Sequence, residues 1–301
     1  MVRRLTFAFI AWVGVAAVTV PVAVPAPLPT VLPARPDSLK FAAIGDSGTG
    51  DRPQYDVGQR MATERMRFPF ELVIMLGDNM YGRQQPEDFV TKFERPYAAL
   101  LSAGVVFYAS LGNHDNPRNA QYEPFHMGGE RYYTFTPETP LLAGLTGTSV
   151  QFFMIDTEYL DNAQLAWLER EMTRSKARWK IPVFHRPIYT SGRYSSPARI
   201  FRGALEPIFL RHGVRVAFSG HEHFYERTVP QRGITYFISG AAGSLRLNDI
   251  GRSPVTARGF DTDYSFMLVE VAGDELHFQS ISRAGHSVDA GAITVDTDPH
   301  R

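Results

Sequence analysis

Short, uninterrupted apolar runs recur along the chain, and each stops abruptly at a glycine or a polar side chain. Lys40 to Ile44 precedes Gly45-Asp46, Phe70 to Leu76 precedes Gly77-Asp78-Asn79-Met80-Tyr81, and Val105 to Leu111 precedes Gly112-Asn113-His114-Asp115. Two more, Lys180 to Phe184 and Val214 to Ser219, stop at His185 and at Gly220-His221-Glu222-His223. Runs of this length that do not alternate predict strands covered on both faces. In open α/β sheets, chemistry collects beyond the carboxyl ends of such strands. One Gly-Asp pair after an apolar run is an ordinary turn. Five runs that each deliver Asp, Asn, His or Tyr at the same end point to one shared site.

The segments between these runs carry other periods. Tyr55 to Met66 has helical spacing, and Pro86 to Leu101 reads as one or two short helices, so the chain opens β-α-β-α-β. Tyr122 to Gly147, rich in Gly, Pro and Thr, predicts a long surface excursion around the apolar Tyr132 to Phe135. Val150 to Ile155 is another buried strand. Asp161 and Gln164 form a capping box before Leu165, Leu168 and Met172, and Arg199 to Arg211 is a helix closed by His212-Gly213. Beyond Gly220 strands follow without helices: Thr235 to Ser239, Ser265 to Val271 and Glu275 to Ser282, the last two joined by a Gly273-Asp274 turn. These elements predict an α/β protein, a four-layer αββα sandwich of mixed sheets with a strand-rich C-terminal part. Its second sheet is expected mainly from the C-terminal strands. No composition shift divides residues 38–297.

Composition narrows the partners. The 301 residues are 44% hydrophobic, enough to fill a sizeable core. Lys+Arg and Asp+Glu are equal at 31 each, so the electrostatic footprint of a nucleic-acid partner is missing. Cysteine is absent, which removes disulfides, thiolate metal ligands and a thiol nucleophile together. Arg3 and Arg4 precede Leu5 to Val20, apolar except for Thr6 and Thr19, the pattern of an export signal. At about 1.5 Å per residue this run is short for a bilayer core of about 30 Å. Residues 1–37 are therefore expected outside the fold, as a signal peptide or N-terminal membrane anchor followed by a tether with six prolines between Pro21 and Pro36. The expected location is periplasmic, extracellular or anchored facing outward.

Taken in order, the five polar blocks resemble those of the calcineurin-like metallophosphoesterases, and more narrowly those of the purple acid phosphatases. The likeness runs from about residue 40 to 285 and includes the Gln164 to Leu168 helix. It implies a metallophosphoesterase fold with a binuclear metal centre. Asp46, Tyr81 and His223 would hold one ion, Asn113, His185 and His221 the other, and Asp78 would bridge them. A donor set with a phenolate suits Fe(III), and two imidazoles with an amide and a carboxylate suit a divalent Zn, Fe or Mn. His221 and His223 can face one way as i and i+2 of extended chain. The implied reaction is hydrolysis of small phosphate monoesters by in-line attack of a metal-bound hydroxide, acid phosphatase-like, with His114 protonating the leaving alkoxide or stabilising the transition state.

One departure stands out. Many purple acid phosphatases carry further phosphate-contacting histidines after the fourth block, and here Ser191 to Pro197 contains none, with Arg193 and Tyr194 nearby. The rival readings are a phosphodiesterase with the same metal core and a non-catalytic surface binding protein. Related diesterases commonly place a metal-binding His two residues after the first Asp, where this chain has Gly48. His126, His212, His277, His286 and His300 are expected to cap, pack or face solvent, and Tyr189 to be structural. Asp115 is expected either to orient His114 or to cap the next turn. The pattern leaves the oligomeric state open.

Overall fold

The computed structural model describes residues 32–137 and 150–295. Strands β1 (Leu39–Ile44), β2 (Leu72–Leu76) and β3 (Val106–Ser110) lie parallel, with Phe41 opposite Leu72 and Leu72 opposite Val106. Helix α1 (Arg52–Arg65) connects the first two, starting at Asp51-Arg52-Pro53, where the fixed proline φ suits a first turn. The expected helical stretch before β3 breaks into α2 (Pro86–Phe89), a π-helical turn over Val90–Glu94 and α3 (Ala98–Ser102). Pro96, without an N–H, ends the continuous ladder between them.

The remainder runs β4 (Tyr133–Phe135), β5 (Val150–Ile155), α4 (Asn162–Arg174), β6 (Trp179–Phe184), α5 (Ser195–Arg211), β7 (Val216–Ser219), β8 (Tyr225–Thr228), β9 (Thr235–Ser239) and β10 (Thr256–Phe260). It closes with β11 (Ser265–Ala272), β12 (Glu275–Ser282) and β13 (Ser287–Thr294). One sheet has six strands in the order β13-β12-β11-β1-β2-β3, the other seven in the order β10-β8-β9-β7-β6-β5-β4. Because side chains alternate across a strand, each sheet feeds two cores. Phe41, Ile74, Phe152, Ile181, Phe218 and Val269 fill the space between the sheets, with the Phe41 ring edge-on to Phe152 and Phe218 at 5.3 and 5.9 Å. Ala42, Ile44, Val73 and Met75 pack outward on Val57 and Met61 of α1, and Phe153 and Ile155 on Leu168 and Met172 of α4 and on Leu205 and Phe209 of α5. The result is the expected four-layer sandwich.

The source of the second sheet is a correction. Strands β11 to β13 join the first sheet, β11 pairing antiparallel with β1 so that Phe41 meets Val269 and Ala43 meets Met267. Pairing there covers the free edge of β1 and extends the inter-sheet core, while the chain between β4 and β10 builds the second sheet. Strands β8, β10 and β13 were not anticipated. β10 and β13 are sheet edges, partly exposed and rich in Ser, Thr, Gly and charge, so they lack the apolar signature.

Local signals held in detail with two changes. Asp161 caps α4 by accepting from the Gln164 N–H at 2.8 Å, but the Gln164 side chain pairs with the backbone N–H and C=O of Asp156 instead of closing the box. Helix α5 begins four residues before Arg199 and ends at Arg211, with Gly213 just past its cap at a φ of 68°. Residues 1–31, with the expected export signal, and 138–149 of the excursion lie outside the described residues, as does His300. Leu32 to Asp37, expected with the tether, docks on the domain. Leu32 is buried in the core beneath the first sheet, and the Ala34 and Arg35 N–H groups donate to the buried Glu270 carboxylate at 2.7 and 2.6 Å. Among the described residues no helix is long and apolar enough to cross a membrane.

Candidate metal centre

The carboxyl ends of β1, β2 and β3 in one sheet and of β6 and β7 in the other converge, and their loops carry His114 and all seven residues expected as metal ligands. Two clusters result. The Tyr81 hydroxyl lies 3.1 Å from Asp46 Oδ1 and 3.2 Å from His223 Nε2, which is itself 3.2 Å from Asp46 Oδ1. His185 Nε2 lies 3.1 Å from His221 Nδ1, 3.3 Å from Asn113 Oδ1 and 3.4 Å from Asp78 Oδ2. Asp78 also falls within 4.8 Å of the donor atoms of Asp46 and His223, so its carboxylate belongs to both clusters. Metal–ligand bonds of about 2.0 to 2.2 Å put neighbouring vertices of a coordination shell about 3 Å apart. The spacings are those two adjoining coordination shells would need.

The chain bends sharply to make them. Asp46, Asp78 and His221 adopt left-handed backbone with φ of 55°, 52° and 71°, each directly after a glycine. Such strain in residues other than glycine collects at functional sites and persists only where surroundings hold it. Here the loops lace together. The Asp46 N–H donates to the Gly77 carbonyl at 3.0 Å, the His221 N–H donates to Asp46 Oδ2 at 2.7 Å, and the Gly220 N–H donates to the His185 carbonyl at 3.0 Å. A side chain at Gly112 is excluded, since its Cβ would stand 2.3 Å from both the amide and Oδ1 of Asp78.

Second partners orient the imidazoles. His185 Nδ1 donates to the Leu76 carbonyl at 2.9 Å, which leaves Nε2 free to act as a donor to a cation. Arg186 Nη1 lies 3.2 Å from His221 Nε2, and Arg186 is held in turn by a fork of bonds to Glu158 of 2.7 to 3.0 Å. His114 is not in either cluster. Its N–H donates to Asp78 Oδ1 at 2.8 Å, and its exposed ring leans on Tyr81 at 4.6 Å.

The electrostatics are those of a cation site. Burial pushes Asp78 up, but the charge and hydrogen bond of His185 and the His114 N–H outweigh it and leave the carboxyl well below its usual range. Burial pulls His185 down, and Asp78 overrides this to raise it to about 10. His221 is driven down to about 2 by burial, then by the His185 and Arg186 charges. Burial, followed by the Asp46 and Asp78 charges, raises the Tyr81 phenol far above its ordinary value. A pocket that holds imidazolium and resists phenolate is short of positive charge. Its carboxylate, phenol, amide and imidazole donors fit metal ions, which would displace the proton on His185.

A family model described as calcineurin-like phosphoesterase matches residues 39–225, more than half of the chain. The chain belongs to that family. Among curated relatives of this phosphoesterase, human tartrate-resistant acid phosphatase type 5 is 22% identical over 87% of this chain and 92% of its own length. Purple acid phosphatase 17 of Arabidopsis thaliana is 25% identical over 81% and 85%. Among solved structures, GAP50, the anchor in the inner membrane complex of Plasmodium, superposes with a TM-score of 0.73 at 16% identity over 87% of this chain and 90% of its own. A purple acid phosphatase from yellow lupin seeds gives 0.65 at 18% identity over 88% and 55%. The narrower likeness to purple acid phosphatases thus extends beyond the five blocks.

Arg186, Glu222 and Arg246 of this phosphoesterase shape the site without a role in the sequence reading, and Asp115 shapes it in a role other than the two expected. Asp115 neither orients His114 nor caps the next turn. It accepts from the Asn79, Met80 and Gly112 N–H groups at 2.9 to 3.1 Å. Glu222, fully buried between the two histidines of its block, accepts from Thr190 Oγ1 and from the Tyr194 N–H at 3.1 and 3.0 Å. That bond seats the Tyr194 ring against His221, 4.3 Å between centroids. Asp115, Arg186 and Glu222 flank expected ligands, which is a usable signal; Arg246, which reaches His223, has none. Arg193 is drawn away by a bidentate pair with Asp249 at 2.8 to 3.0 Å. Tyr189 is structural as expected, its hydroxyl donating to Glu206 at 2.8 Å. His126, His212, His277 and His286 all contact groups remote from the clusters.

Proposed function

We propose that this phosphoesterase is an exported binuclear-metal phosphatase acting on small phosphate monoesters. The observation that carries the reading is the pair of donor clusters joined by Asp78 at the mouth where His114 stands. Asp46, Tyr81 and His223 would hold one ion, as Fe(III), and Asn113, His185 and His221 a divalent Zn, Fe or Mn, with Asp78 serving both. When bound, the two ions supply an acidified water as nucleophile and positive charge against the attacked phosphoryl group.

The remaining work falls to the chain. The Leu76 carbonyl fixes the imidazole tautomer of His185. Asp78 anchors the His114 backbone, so the exposed imidazole is placed relative to the shared carboxylate and can hand a proton to the leaving alkoxide. No serine or cysteine nucleophile is required. Export rests on Arg3, Arg4 and the Leu5 to Val20 run, and the acid phosphatase names of the relatives support the reaction class.

The test pairs elemental analysis of purified protein with rates on an aryl monoester and a diester across pH. Two metals per chain and preference for the monoester are expected, and Asp78→Ala should lose both metals and turnover. Full activity in Asp78→Ala would sink the shared-carboxylate reading, and preference for the diester would favour a phosphodiesterase.

A further inference from the structure

Arg246 lies over the loop that carries His221 and His223. Its backbone N–H donates to the His223 carbonyl at 3.1 Å, which fixes where the side chain starts. The guanidinium then spans the loop. Nη1 is 3.4 Å from the His221 carbonyl and 3.7 Å from Glu222 Oε2, and Nη2 is 3.4 Å from His223 Nε2. Its face rests on the Tyr194 ring at 5.4 Å, and the side chain is 22% exposed, so it is placed yet reachable.

The neighbouring arginines of the site contrast with it. Arg186 forks onto Glu158 and Arg193 onto Asp249 at distances of 3.0 Å or less, while Arg131 donates to Asp156 at 2.9 Å. Among the described residues the one carboxylate at ion-pair range of Arg246 is that of Glu222, at 3.7 Å, and each of its side-chain contacts is long. One of these contacts is also the nitrogen expected to bind metal. Once His223 Nε2 gives its lone pair to a cation, it can no longer accept from Arg246. A guanidinium N–H would then be left beside the bound cation without that acceptor. Such an arrangement is repulsive until an anion arrives, and a planar guanidinium suits phosphate oxygens.

Resting on the phosphatase reading above, we infer that Arg246 binds the substrate phosphoryl group and selects monoesters over diesters. A phosphate monoester offers three non-bridging oxygens and up to two negative charges. A diester offers two oxygens and one charge. Were two oxygens to face the metal site, only the monoester would have a third for Arg246. The guanidinium thus takes the charge by which the two ester classes differ, and it does so from the loop that carries His221 and His223.

The experiment uses the metal-loaded full chain, with Arg246→Gln and Arg246→Lys beside wild type. Inorganic phosphate binding is measured by titration calorimetry, metal content by elemental analysis, and kcat/KM on one aryl monoester and one aryl diester. Arg246→Gln should weaken phosphate binding about 10- to 100-fold, as loss of charged hydrogen bonds does. It should lower monoester kcat/KM by a similar factor, spare the diester and keep both metals, and Arg246→Lys should recover part of the loss. Unchanged phosphate affinity, or equal losses on both esters, overturns the inference. Loss of metal in Arg246→Gln also overturns it, because Arg246 would then serve the histidine loop. A wild type that binds phosphate through Arg246 but turns over neither ester sinks the phosphatase reading alone.

Discussion

Asp115 accepts hydrogen bonds from both the backbone N–H and the side-chain amide of Asn79, at 3.1 and 2.9 Å. The same buried carboxylate accepts from the Met80 and Gly112 N–H groups at 2.9 Å each. It therefore staples the loop after β2, which carries Asp78 and Tyr81, to the loop after β3, which carries Asn113. Asp115→Ala leaves three backbone N–H groups without their acceptor. Each orphaned buried donor costs about 1 to 3 kcal/mol, so a loss of about 3 kcal/mol or more is expected. Asp115→Asn keeps one acceptor oxygen and should lose less. Urea unfolding of the two variants measures this, and a wild-type midpoint in Asp115→Ala removes the staple from the account.

The N-terminal dock yields a second prediction. Glu270 is buried and receives the Ala34 and Arg35 N–H groups and the Ser38 hydroxyl, while Leu32 fills the core beneath. A protein beginning at Ser38 exposes that apolar site and strips two donors from a buried carboxylate. One buried Leu contributes about 1.5 to 3 kcal/mol, and hydrogen bonds to a charged group about 1.5 to 3 kcal/mol each. Against a protein beginning at Leu32, the shorter chain should lose about 4 to 9 kcal/mol. Coincident urea transitions for the two lengths would show that the docked segment adds nothing.

These two contacts mark the limit of what the sequence makes legible. The ends of β1, β2, β3, β6 and β7 can be read because each is a local event, an apolar run stopped by a turn and a donor. Convergence of the five then follows from the layer architecture. Asp115 reaches back to Asn79 and Met80, and Glu270 reaches back to Ala34 and Arg35, across separations that no local period records. Arg246 is of the same kind, an arginine in a loop whose meaning arises only from what folds beneath it. Edge strands β10 and β13 escape for a different reason. Their residues are chosen for solvent and for pairing on one side, so the hydrophobic pattern is diluted.

His114 should separate chemistry from metal binding. Its ring is exposed and outside both clusters, so His114→Ala removes no expected ligand, while its backbone N–H can still reach Asp78. Metal content should stay at the wild-type level. Turnover of an alkyl monoester should fall by about 10² to 10⁴, the range for a positioned acid or base. An aryl monoester, whose leaving group needs less protonation, should suffer less. Loss of metal in this variant would make His114 a ligand.

Tyr81 decides which metal pair the protein carries. Its hydroxyl stands 3.1 Å from Asp46 Oδ1 and 3.2 Å from His223 Nε2, close enough for all three to hold one ion. In the metal-free cluster, burial and then the Asp46 and Asp78 charges keep the phenol protonated. A bound trivalent ion reverses that sign, because the nearest large charge becomes positive. Phenolate donation to Fe(III) then gives a broad visible band from charge transfer. Tyr81→Phe preserves the ring and its contact with His114, and removes only the oxygen. The iron-loaded variant should lose the colour and keep at least the ion at Asn113, His185 and His221. Colourless iron-loaded wild type, or a band that survives in Tyr81→Phe, would exclude an Fe(III)–phenolate centre and leave two divalent ions as the better assignment.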